Sequence, residues 1–282
     1  MSQPSPLLDH VFVVVDDESY RAVGESEYLS QTFARVKHKR STSTLAGTYA
    51  GVVVAGVNTS IEFFPASAPP FPGLAAGLVL SFESPGSIVE AHRMLTERGA
   101  SPVRLEQVRR TLDGSDRPRT WYTLLEPEMG PNSPVRLMLA AVAPEYFATV
   151  AARPSPDGRL SRRAYLDAAF GRPAADGQRL RDLTEVTLRL HADRARCVVT
   201  TLTTLGYRVT GGPHGQLLTG PDGVIRVLVD EASPEGVPDI RLACDGPIPP
   251  QRLGATTLAG DRWTFPTDAG PTDTRSHDHA VR

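Results

Sequence analysis

The chain has 282 residues, 40% of them apolar and 22% charged, with a formal net charge of −2. That length holds two compact domains or one domain of repeated units, and the apolar share supports a folded chain. The 30 basic and 32 acidic residues are interspersed, so no basic bias points to nucleic acid or to an anionic membrane surface.

The start, MSQPSPLLDH, has no basic n-region, and HVFVVV is too short for a signal segment or a membrane span. Cys197 and Cys244 lack metal or redox spacing and read as two buried thiols, which suits a reducing compartment. The expectation is a cytoplasmic protein. Its Ala/Arg/Pro-rich composition suggests a high-GC bacterial source.

Residues 10–17, HVFVVVDD, form a β-branched run ended by two aspartates and read as a buried strand. A helical stretch follows, with Asp16 or Asp17 at its N-cap and an interruption near Gly24. KHKRSTSTLAG, TYAGVVVAG and TSIEFFPA then predict three strands, with turns at Gly47, Gly56 and Asn58. This β-α-β-β-β pattern recurs. GLVLSFESP is a strand, and SPGSIVEAHRMLTERG is a helix capped by Ser84 or Ser87 and ended by Gly99. PVRLEQVRRTL, RTWYTLLEP and SPVRLMLAAV are its three further strands.

The predicted organisation is a pair of modules over 1–149 (1–67 and 74–147), then a linker over 150–181. In that linker SRRAYLDAAFG reads as a short capped helix with a glycine stop. A third module and a partial fourth occupy 182–266, and a disordered tail 267–282. The fold class is α+β: repeated β-α-β-β-β modules whose curved mixed sheets surround a cleft, with helices outside. One module cannot bury both faces of its sheet, so modules pair.

Two residues stand out. Glu62 interrupts an alternating apolar strand, TSIEFF, and faces opposite Ile61 and Phe63. A carboxylate turned into a cavity needs a metal, a cation or a proton. Without a metal it would be a general base, its pKa raised by burial. The plainer alternative is a solvent-facing residue on an edge strand. His10 heads the first strand, where an imidazole is held rigidly enough to ligate a metal or simply bonds the backbone.

LLDHVFVVVDD and NTSIEFFPA resemble the first and last strands of a module of the vicinal oxygen chelate superfamily, which includes glyoxalase I, bleomycin-resistance proteins and extradiol dioxygenases. GVNTSIEFF together with GDRWTF resembles a bacterial glyoxalase-like group. The resemblance implies a divalent metal (Zn, Mn, Fe, Co or Ni) held by His10 and Glu62. It also implies ligands from a second module. There the alignment puts Gly77 opposite His10 and Leu137 or a neighbour opposite Glu62, which supplies no ligand. Aligning the third module puts Glu185 opposite His10, so His10, Glu62 and Glu185 would converge if modules one and three paired. The run LTEVTLRL also allows an exposed Glu185.

Trp121 and Tyr122 sit mid-strand. One of them should face the cleft and stack on a flat ligand, with core packing as the alternative for Trp121. Asn58 reads as a turn residue and Arg136 as a surface charge. His277 and His279 lie in the tail, and the remaining histidines carry no role. No G-x-S-x-G, P-loop, dinucleotide or H-E-x-x-H motif occurs.

The resemblance implies a glyoxalase-like lyase or isomerase acting on a small oxygen-chelating metabolite. The metal would stabilise an enolate or oxyanion, with Glu62 doubling as catalytic base. The alternative is a metal-free protein that sequesters a small molecule, as the bleomycin-resistance branch does. The partner is a small-molecule ligand, not nucleic acid or membrane. Sites of this superfamily assembled across subunits allow a homodimer.

Overall fold

The computed structural model describes residues 4–84, 86–99, 102–111, 117–174, 177–212 and 214–266. The tail 267–282, with His277 and His279, lies outside the described residues. Module one contains β1 (Leu7–Val15), α1 (Asp17–Glu25), a π-helical turn (Leu29–Phe33), β2 (Arg35–Ser43), β3 (Gly47–Ala55) and β4 (Ser60–Pro65). Module two repeats it with β5 (Ala76–Ser81), α2 (Ser87–Glu97), β6 (Val103–Thr111), β7 (Arg119–Pro127) and β8 (Val135–Val142).

The modules close into one barrel in the order β1-β4-β3-β2-β6-β7-β8-β5. Each first strand runs parallel to its own last strand, β1 with β4 and β5 with β8, because a helix makes the crossover. The modules meet along β1–β5, a long antiparallel pairing. They meet again at the β2–β6 seam, which holds two residue pairs, Thr42 with Thr111 and Ser43 with Arg110.

Helices α3 (Pro144–Thr149) and α4 (Arg162–Phe170) follow. The third module has β9 (Leu180–Leu190), α5 (Ala192–Thr204), β10 (Arg208–Gly212), β11 (Gly215–Thr219) and β12 (Val224–Val229). β13 (Gly236–Cys244), β14 (Gln251–Leu253), β15 (Thr256–Ala259) and β16 (Arg262–Thr264) complete an eight-stranded second sheet, β10-β11-β12-β9-β13-β16-β15-β14. This last unit has no helix after its first strand. Its β13 and β16 are accordingly antiparallel, where β1–β4 and β9–β12 are parallel.

Caps set the helix ends. The Asp16 carboxylate accepts from Ser19 N at 2.8 Å and opens α1. Neither Ser84 nor Ser87 caps α2: Gly86, at φ 85°, holds the N-cap, and Ser87 is already helical. Ser161 Oγ accepts from Ala164 N, and Gly171, at φ 66°, ends α4 in the left-handed region that glycine tolerates.

The core is continuous between barrel and second sheet. Ile61 and Phe63 on the outer face of β4 are fully buried, and Trp263 lies 5.0 Å from the Phe63 ring centroid. Asp182 accepts from Asn58 N, Asn58 Nδ2 and Thr59 Oγ1, tying the β3–β4 turn to β9. Among the described residues no helix is long and apolar enough to cross a membrane.

Candidate functional site

The barrel encloses a cavity of about 620 Å³, within the range of small-molecule sites. Strand alternation sorts β4 cleanly: Ser60, Glu62 and Phe64 line the cavity, while Ile61 and Phe63 face the second sheet. In β1 the pairing with β5 shifts between Leu8 and His10, so Asp9 is an extra residue. Asp9 and His10 therefore both reach the cavity. A matching shift between Val108 and Arg109 of β6 makes Trp121 the extra residue of β7. That is why Trp121 and Tyr122 both line the cavity, rather than one of them.

Glu62 has a cation. Lys39, on the inner face of β2, donates from Nζ to Glu62 Oε1 at 2.9 Å. The ammonium also lies 5.2 Å from the Tyr49 ring centroid and 5.4 Å from that of Trp121. Burial alone would push the Lys39 ammonium down, but the charge of Glu62 outweighs it and holds the group above its ordinary value. Burial likewise raises the Tyr122 and Tyr165 phenols, so both stay neutral donors.

On β1, His10 Nδ1 stands 2.7 Å from Asp9 Oδ1. Burial raises the Asp9 carboxyl, yet the hydrogen bond and charge of His10 and the charge of Arg162 outweigh it, so its pKa falls below the usual value. An ionised carboxylate only accepts, so His10 Nδ1 is the donor in this bond.

Helix α4 roofs the barrel. Tyr165, Leu166 and Phe170 line the cavity, and Trp121 Nε1 donates to Tyr165 OH at 2.8 Å. The roof is held at both ends. Arg162 donates to the Leu8 carbonyl, to Glu83 and to Asp222. Arg35, fully buried, donates to Asp167 at 2.7 Å, and Lys37 donates to the Ala169 carbonyl at 2.6 Å.

The donors present do not fit a divalent metal. Phe12 pairs with Glu62 in β1–β4, and Val79 with Met138 in β5–β8, so Met138 is the second module's counterpart of Glu62. The counterpart of His10 is Gly77, and the Phe12 ring lies where a β-carbon there would project. Glu62 already has an ammonium as counter-charge. Among the described residues no group of three or more His, Cys, Asp or Glu side chains is gathered so as to hold a metal ion. Glu185 does not join His10 and Glu62. Module one pairs with module two through β1–β5, and Glu185 sits in the second sheet, accepting from Arg226 Nε at 2.7 Å. Arg136 is bound by Glu126 at 2.5 Å and lies over Phe71.

The sequence model of the family of unknown function DUF5829 matches residues 8–260. The chain belongs to DUF5829. No match was found among curated proteins. A solved structure similar to this DUF5829 chain is a hypothetical protein from Staphylococcus aureus, 12% identical over 80% of this chain and 87% of that one, with a TM-score of 0.50. Two others are a homoprotocatechuate 2,3-dioxygenase mutant from Brevibacterium fuscum (12% identity, TM-score 0.41) and a Mn(II)-bound glyoxalase from Novosphingobium aromaticivorans (9% identity, TM-score 0.42). The DUF5829 chain is covered to 80% and 84% in these matches but spans only 54% and 64% of those chains. The Staphylococcus aureus likeness speaks to fold alone. The paired-module barrel is a fold that this chain shares with the Staphylococcus aureus protein.

Sequence reasoning missed Lys39, Asp9, Arg110 and Tyr165 in the DUF5829 cavity. Lys39 was legible in principle, because Arg35, Lys37, Lys39 and Ser41 alternate along one face of β2. Nothing local marks Tyr165, since α4 reaches the cavity only through the tertiary fold.

Proposed function

We propose that the chain binds a small, flat organic molecule inside the barrel without a resident metal. The Lys39–Glu62 ion pair carries this reading: it supplies internally the positive charge that a metal would have brought to Glu62. The walls support it, since Phe12, Phe64, Trp121 and Tyr122 give a ligand ring apolar faces and edges to pack on. Tyr165 and Phe170 close the cavity from α4.

A metal-dependent lyase or isomerase is the second reading. One observation favours it: His10 and Glu62 line the same cavity from adjacent strands.

Elemental analysis separates the two. Purified protein, and protein reconstituted with Zn, Mn, Fe, Co and Ni, is expected to hold far less than one metal per chain. Flat aromatic compounds are expected to raise its Tm and to change the fluorescence of Trp121. Near-stoichiometric metal that is lost in both His10→Ala and Glu62→Ala would overturn the metal-free reading.

A further inference from the structure

Among the described residues, the cavity lining holds more positive charge than its own carboxylates neutralise. Lys39 Nζ and the Arg110 guanidinium lie 5.4 and 4.9 Å from the centroid of one ring, that of Trp121. Lys39 has Glu62 as its carboxylate. Arg110 has a neutral acceptor, the Tyr146 hydroxyl, 3.1 Å from Nη1. Its Nε is buried, with no acceptor among the described residues.

Strand pairing gathers a third group here. Arg110 pairs with Ser43 across the β2–β6 seam, and Ser41 lies between Lys39 and Ser43 on the inner face of β2. Ser41 is 4% exposed, and its Oγ likewise has no partner among the described residues. Ser41, Lys39 and Arg110 all line the cavity.

Leaving a buried guanidinium N–H and a buried hydroxyl short of acceptors is unfavourable. One kind of group satisfies both: a small anion with more than one acceptor oxygen, which a guanidinium can grip through two N–H donors. The body attached to it must suit aromatic walls. We propose that the cavity binds a small aromatic carboxylate, its ring among Trp121, Tyr122 and Phe64 and its carboxylate held by Arg110, Lys39 and the Ser41 hydroxyl. This rests on the small-molecule-binding reading above and adds the ligand's charge. A neutral aromatic leaves Arg110 without a counter-charge among the described residues, and an aromatic amine adds a third cation.

The full-length protein is titrated calorimetrically with 1-naphthoate, 1-naphthamide and 1-naphthylmethylamine. Naphthoate is expected to bind at least tenfold more tightly than naphthamide, and the amine to bind more weakly than either. Arg110→Gln should shrink the advantage of naphthoate over naphthamide about tenfold. Ser41→Ala, which deletes an unpartnered hydroxyl and so spares the fold, should weaken naphthoate severalfold. Equal binding of naphthoate and naphthamide, or tighter binding of the amine, overturns the anion inference and leaves the aromatic cavity standing. Binding of none of the three overturns both.

Discussion

Lys39→Met leaves the Glu62 carboxylate, 9% exposed, without its ion-pair partner. Breaking a buried pair from one side costs roughly 3–5 kcal/mol. Lys39 is itself 18% exposed, which puts the expected loss near the lower bound, about 3 kcal/mol in urea unfolding. Lys39→Met combined with Glu62→Leu should recover most of that loss, because no desolvated charge is then left alone. Recovery of none of it would mean that the pair is not coupled. Asp9 makes a separate prediction. Its carboxyl is held below 3.8 in the folded chain. A depressed folded value stabilises fully above the unfolded pKa and is lost as pH falls through the folded one. Stability should therefore decline as pH drops below about 4, and Asp9→Asn should flatten that part of the profile. At this scale the sequence marked Glu62 as anomalous and His10 as a candidate ligand at the head of the first strand. It did not show that Lys39 answers Glu62, because the two are 23 positions apart and on non-adjacent strands of the barrel.

Helix ends are where local chemistry is most readable. Asp16 accepts from both Ser19 N and Ser19 Oγ, and Ser19 Oγ in turn accepts from Ala255 N at 2.8 Å. Asp16→Ala is expected to cost about 1–2 kcal/mol, read by thermal unfolding, since it loosens the α1 cap and its link to the second sheet. In α4, Gly171 sits at φ 66°, so Gly171→Ala should cost about 1 kcal/mol of left-handed strain. Amide hydrogen exchange across Arg162–Phe170 should then rise while that of β1 and β9 stays unchanged. A uniform rise would show that α4 is not a separately opening roof. Ser161 and Gly171 were legible as caps. The destination of α4 was not: its contacts are Arg35, Lys37 and Trp121, all far away in sequence. The α2 cap misled for a simple reason. A serine signal stood one residue from a glycine whose backbone does the turning.

Trp263 is fully buried against Phe33, Phe63 and Phe265, so one residue of the last module seals the outer face of the first. Trp263→Ala is expected to cost about 3–5 kcal/mol. Because the core is shared, the variant should melt in a single calorimetric transition at lower temperature. Two separated transitions would mean that the barrel and the second sheet fold independently. The interface is close at Gly56, where any β-carbon would collide with the Arg181 carbonyl.

The sequence by itself determined the module repeat, the α+β class and the alternation that turns Glu62 away from Ile61 and Phe63. Those follow from period-2 burial, glycine turns and capping residues, which act over a few positions. Only the tertiary structure decided which modules pair, that two strand irregularities bring Asp9 and Trp121 to the cavity, and that Lys39 rather than Glu185 meets the site carboxylate. Those outcomes depend on strand register and on contacts between distant segments, and a one-residue shift in register exchanges the residues that face in with those that face out.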